Sequence, residues 1–203
     1  MTTQFQWIID NCSDLQINKR AVVAQTVSRD QTIRGVSRGG NVWRFVVTPS
    51  PGIWWNVCRG NIEAMDKADR HSVTQINFAT SGHEFIYGYQ GNVVGTQSMT
   101  YTQGSDTITV SGGAIGSGYR FKAGDLIQPT GSARVYAVVN DVPYNSTSVL
   151  LNRPILDASG TANAIVGKDC TWSVVCTQYP EYKIVAPGRV EWSSTFTFME
   201  SLA

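Results

Sequence analysis

The chain has 203 residues, enough for one large domain or two small ones that bury roughly two-thirds of the unfolded surface without metal or disulfide support. Charged residues make up only 15% of it, below the ~25% of soluble domains, and hydrophobic ones 42%, a composition that excludes a disordered chain and suits a surface partly covered by other subunits. Lys and Arg number 16 against 15 Asp and Glu, a formal charge of +1, so there is no basic excess to hold a nucleic-acid backbone.

The opening Met1-Thr2-Thr3-Gln4-Phe5-Gln6 carries neither the basic stretch nor the apolar run of a secretory leader, and no run approaches the ~18 apolar residues of a membrane span. A cytosol-like space is expected, with Cys12, Cys58, Cys170 and Cys176 kept as buried thiols. The sequons at Asn11 and Asn145 are discounted on the same ground.

Period-two alternation dominates. It predicts strands over Ala21 to Val27, Val42 to Thr48, Val73 to Phe78, Phe85 to Tyr89, Thr107 to Val110, Arg134 to Val139, Ser148 to Leu151, Thr171 to Cys176 and Tyr182 to Val185. A last strand, Val190 to Phe198, sets Val190, Trp192, Phe196 and Phe198 on one face and Glu191, Ser193, Thr195 and Thr197 on the other. One segment departs from this pattern: Asn61 is placed to cap a short helix over 61–70, with Ile62, Met65 and Ala68 on its apolar stripe.

The stretch from Gly91 to Gly118 is glycine-rich, and the strands after it are closely spaced, which suits a small meander or barrel. The fold expected is all-β with one short helix: a β-sandwich-like domain from 1–96 plus 186–203, interrupted by a small β-barrel-like domain at 97–185. The final strand buries too much aromatic surface to stand alone and returns to the first domain.

Constellations with catalytic spacing do not hold up. His83-Glu84 starts like a zinc-hydrolase motif, but Tyr87 stands where the second histidine belongs, and His71 sits at the predicted helix end. Gly113 to Gly118 has phosphate-loop spacing, yet Tyr119-Arg120 replace the required Lys and Ser or Thr. Cys170 and Cys176 would stand roughly 20 Å apart along one strand. Asp66 and Asp69 share a helix face, while Asp125, Asp141 and Asp157 occupy turn contexts where Asp bonds locally. No catalytic, cofactor or metal set emerges.

Two surface features point to contacts instead. Trp54-Trp55 follow a Pro-rich bend, so one side chain should face inward and one outward, as an interface anchor or a sugar-stacking platform. Residues 17–44 hold Lys19, Arg20, Arg29, Arg34, Arg38 and Arg44 against Asp30 alone, a local balance of +5 that suits an acidic partner. Arg29, Arg34, Arg38, Arg44, Trp54 and Trp55 are therefore the candidate interface residues.

Three segments resemble tail-tip and baseplate proteins of tailed bacteriophages: Phe121-Lys122-Ala123-Gly124-Asp125-Leu126-Ile127-Gln128, Ala133 to Val142, and Val149-Leu150-Leu151-Asn152-Arg153-Pro154-Ile155. The Arg38-Gly39-Gly40 turn, Trp43-Arg44-Phe45, the Pro-rich bend, Arg59 and the closing Val190 to Phe198 strand are similar to the same family. The resemblance implies a distal tail or baseplate hub protein, which is a structural virion component and not an enzyme. Its copies would close into a ring, usually a hexamer, around the tail axis, with the insertion facing outward. The ring would join the tail tube to distal baseplate or receptor-binding components, be assembled in host cytoplasm, and need no cofactor, nucleic acid or membrane. The alternative reading is a carbohydrate-binding module using Trp54 or Trp55.

Overall fold

The computed structural model describes residues 4–19, 23–27, 29, 33–37, 41–68, 72–79, 87–114 and 117–202, with the backbone alone described at 23–27 and 33–37. Helix α1 (Gln6–Asp10) leads into β1 (Cys12–Asn18), a hairpin of β2 (Val23–Val27) and β3 (Ile33–Ser37), then β4 (Arg44–Pro49), β5 (Ile53–Trp54), helix α2 (Trp55–Lys67) and β6 (Thr74–Ile76). Next come β7 (Val94–Tyr101), β8 (Thr107–Ala114), β9 (Tyr119–Phe121), β10 (Leu126–Pro129), β11 (Tyr136–Ala137), β12 (Val142–Pro143), β13 (Ser148–Leu150) and β14 (Gly160–Val166). The chain closes with β15 (Trp172–Gln178), β16 (Tyr182–Val185), β17 (Arg189–Trp192) and β18 (Phe196–Glu200). The fold is all-β, as the alternation predicts.

Two larger sheets carry it. The first is antiparallel in the order β1-β4-β18-β15-β6. Its inner face presents Phe45, Val47, Trp172, Val174, Phe196 and Phe198, and the same apolar cluster takes in Ile8 and Ile9 of α1 and Cys58, Ile62 and Met65 of α2. Trp172 is the hub of its aromatic centre, with Phe45 and Phe78 each 5.3 Å from it and Trp43 at 5.5 Å. These are edge-on geometries favoured by ring quadrupoles. A small sheet, β16-β17-β5, closes the same core through Val190 and Trp192.

The second large sheet runs β11-β10-β14-β7-β8-β13. It curls until its two ends meet at an isolated bridge between Val138 and Leu151, where Val139 N–H donates to Leu150 O and Asn152 N–H to Ala137 O, both at 2.9 Å. Met99, Val110, Phe121, Ile127, Tyr136 and Val149 fill its interior. Joining the ends removes the exposed edges of an open sheet.

Several expectations are revised. The helix predicted over 61–70 spans Trp55–Lys67, with Trp54 and not Asn61 at the cap position, because Trp55 and Cys58 already pack inward a turn and a half earlier. Residues 69 and 70 lie outside the described residues. A second helix, α1, forms where none was expected, driven by burial of Ile8 and Ile9. Val190 to Phe198 is two strands in different sheets: the chain turns after Trp192, where Ser193 N–H donates to Glu181 O, and Trp192 folds back to 4.9 Å from Phe196. Inward residues recur at even positions through the turn, so alternation alone reads as one strand.

The glycine-rich segment near 90–107 holds a full strand, β7, bent by a register shift between Val94 and Gln97 at Gly95, whose φ is +89°. Strands β1 and β14, both rich in Asn, Thr, Ser or Gln, were not expected. Tyr87 to Tyr89, the described part of the Phe85 to Tyr89 segment, is not strand. Inside the 97–185 segment, β15 pairs with β18 and β6, and β16 pairs with β17, so hydrogen bonding to the first sheet resumes at Trp172.

Candidate interaction surface

The outer face of the first sheet follows from the alternation that builds the core. On β4, Phe45 and Val47 are buried while Arg44 is exposed and Val46 and Thr48 are half-buried. The pairing register places Arg44 between Asn18 of β1 and Met199 of β18, and Val46 between Gln16 and Thr197. Both helices and the small sheet pack on the opposite, inner face. The outer face is thus sparsely charged. Arg44, the first residue of β4, has no carboxylate partner among the described residues, and two open hollows share Asn18 and Arg44 as walls. Lys19 lines one of them and holds its ammonium 5.2 Å from the Trp43 ring centre, where burial lowers its pKa.

Between β1 and β4 the chain makes the β2–β3 hairpin, paired from Val23↔Ser37 to Val27↔Ile33 and joined to no other described strand. Arg29 is exposed at its turn. Arg34 is placed by its backbone opposite Thr26, its side chain not being among the described ones, and Arg38 lies outside the described residues. The described basic candidates thus fall on two places, Arg29 and Arg34 on the hairpin and Arg44 on the sheet face at its base.

Trp54 and Trp55 separate as expected, through a strand-to-helix junction and not along one strand. Trp54 ends β5 on the outside of the small sheet, 44% exposed, with the Arg189 guanidinium 5.2 Å over its ring. Trp55 opens α2 and stacks on Tyr182 at 5.9 Å and 23°. One face of Trp54 is therefore already occupied, and Trp55 is largely spent on packing.

Four carboxylates are held by partners within the fold. Asp125 accepts N–H bonds from Lys122 (2.8 Å) and Gln90 (2.9 Å), and burial raises its pKa against those donors. Asp141 accepts from Ala123 N–H and from Lys122 Nζ at 2.7 Å, which lowers its pKa. Asp157 gathers Arg134, Ser132 and the Tyr136 hydroxyl. Asp66 accepts from the Tyr179 hydroxyl at 2.5 Å. All four cysteines are buried, and desolvation pushes Cys12 up to about 11. His71, His83, Glu84 and Asp69 lie outside the described residues. Among the described residues no three His, Cys, Asp or Glu converge as a metal site, and no helix is long and apolar enough to cross a membrane.

A polar seam fixes the curled sheet against the first one. Arg153 and Glu200 form a two-pronged pair with both N–O distances at 2.6 Å and side chains 2% and 0% exposed. The guanidinium also donates to Asn41 O at 2.8 Å and Val135 O at 2.9 Å, and Trp43 Nε1–H reaches Val135 O at 3.1 Å. Gln128 pairs reciprocally with the backbone of Thr171, and Arg134 donates to Leu202 O. Glu200 was missed in the sequence although a signal existed: extending the 196–198 alternation by two residues puts an acid on the apolar face, where it requires a buried cation.

No protein-family model matches the chain, and no curated protein matches its sequence.

Proposed function

We propose that the chain is a structural component of a bacteriophage tail tip or baseplate. Its copies join head to tail into a closed ring, six-fold in the arrangement the sequence resemblance implies, between the tail tube and the distal baseplate or receptor-binding components. On this reading it is not an enzyme, needs no cofactor, contacts neither nucleic acid nor membrane, and resides in the virion after assembly in host cytoplasm.

The observation that carries this reading is the pairing of a sheet face that exposes Arg44 and Met199 and carries few charges among the described residues with a curled second sheet tied to the first by the buried Arg153–Glu200 pair. A subunit of a closed ring needs a face for its neighbour and a rigid body to hold the closure angle. The sequence likeness around Phe121 to Gln128 and Val149 to Ile155 falls on the curled sheet and on Arg153 itself. Electron microscopy of the purified chain tests the reading, with closed rings expected. A glycan-binding role would rest on the exposed face of Trp54 and require glycan binding that Trp54→Ala abolishes.

A further inference from the structure

We propose that Trp54 and Arg189 form a docking corner for a partner protein that offers a carboxylate beside an apolar or aromatic side chain. The corner is complete within one subunit, so it stands whether or not copies close into a ring.

The geometry comes from the small sheet β16-β17-β5. Val190 lies opposite Ile53 on its inward face and is buried. One position along, on the face that looks outward, the register aligns Val185, Arg189 and Trp54 across the three strands. The Arg189 guanidinium lies 5.2 Å from the Trp54 ring centre, and the Trp54 side chain still exposes 44% of its surface. A bond from Trp55 N–H to Gly188 O, at 2.8 Å, holds the β16–β17 turn against the junction of β5 and α2. Ala186 and Pro187 of that turn are exposed, as is Val57 in the first turn of the helix, so apolar surface flanks the junction on both sides.

Charge and stacking decide what fits. A guanidinium laid on an indole is held in orientation while its in-plane N–H edge stays open to a two-oxygen acceptor. Arg189 bonds to no acceptor and pairs with no carboxylate among the described residues. The sequence has no acid from 49 to 62 or from 184 to 190, and Glu191, next along the same face, is held by Lys183 at 3.0 Å. The partner therefore supplies the anion. Of the uncharged residues exposed at the junction, Pro51, Val57, Ala186 and Pro187 are apolar and Asn56 is polar. A sugar seated on Trp54 would need several polar groups for its hydroxyls, whereas a peptide side chain is served by the apolar flank. Trp and Arg are also the side chains that most often anchor protein contacts.

The test uses the full-length chain and a fluorescein-labelled peptide that alternates Glu with Phe, followed by fluorescence anisotropy. The same peptide with Gln for Glu and a neutral glucose oligosaccharide are the comparisons. Trp54→Ala, Arg189→Gln and Arg189→Lys are measured beside the parent, with circular dichroism as a check on folding and Lys168→Gln, in the exposed turn after β14, as the control. Expected is saturable binding of the Glu peptide that weakens with salt, about tenfold or greater loss in Trp54→Ala and in Arg189→Gln, a smaller loss in Arg189→Lys, and no change in the control. No binding by the parent, equal binding of the Gln peptide, or full binding by Arg189→Gln overturns the proposal. Binding of the oligosaccharide that Trp54→Ala abolishes and Arg189→Gln leaves intact assigns the corner to sugar and overturns it as well.

Discussion

Arg153 lies in the bend that follows β13 of the curled sheet and Glu200 at the end of the last strand of the other, 47 residues apart in sequence, and they meet as a buried two-pronged ion pair at 2.6 Å. With exposures of 2% and 0%, neither charge has water to fall back on. Removing one partner leaves the other buried and unpaired, so Arg153→Met or Glu200→Met should cost about 3–5 kcal/mol. Arg153→Met with Glu200→Met should cost less than the sum of the two single changes, because no stranded charge remains. Urea denaturation of the four proteins checks this, and additive losses would mean the pair does not act as a unit.

Helix α2 contains Gly60 at an exposed position, where an added methyl would meet nothing within 4 Å. Gly60→Ala should stabilise the chain by roughly 0.5–1 kcal/mol through helix propensity alone. Gly113 is the contrast: its φ is +71° and a Cβ there would fall 2.2 Å from Val93 Cγ1. Gly113→Ala should lower the melting temperature where Gly60→Ala raises it, and a shared sign in the two would contradict the described backbone.

The extent to which this fold could be read from sequence depends on where its signals are local. Alternation located the strands around Trp43, Trp172 and Phe198 because each buries large side chains on one face. It failed at β1 and β7, where the inward positions are Leu15, Ile17, Gln97 and Met99 among polar neighbours. It also ran through the turn at 193–195, since inward residues keep their parity across the break. Of the contact candidates, the exposure of Arg29, Arg44 and Trp54 follows from turn or strand parity. The Asp66–Tyr179 bond spans 113 residues and the Arg153–Glu200 pair 47, and such long-range partners leave no local periodic trace.

Lys122 holds Asp141 by an exposed ion pair, and the carboxyl pKa lies below its ordinary 3.8 for that reason first, with the Ala123 N–H helping. A carboxyl whose folded pKa is depressed adds stability above its unfolded pKa and loses it as pH falls through the folded value. In Lys122→Met the Asp141 pKa, followed by carboxyl NMR, should rise toward 3.8 without reaching above it, since the backbone donor remains. An unchanged titration would show that the lysine does not set it.

Phe198 is fully buried, stacking with Phe196 at 6.2 Å and meeting Phe5 edge-on at 5.5 Å. Phe198→Ala should cost about 3–5 kcal/mol, the usual penalty for opening an aromatic-sized cavity. By contrast, Trp54→Ala, which removes a side chain 44% exposed, should cost far less in the same denaturation series. Comparable losses at the two sites would place Trp54 in the core.

Association of the subunit into a ring is the central claim, and class averaging of the purified chain by electron microscopy tests it most directly. The account predicts closed rings with six-fold or three-fold symmetry and an open axial passage. Particles that remain single subunits at every concentration, or that form only two-fold dimers, would contradict it.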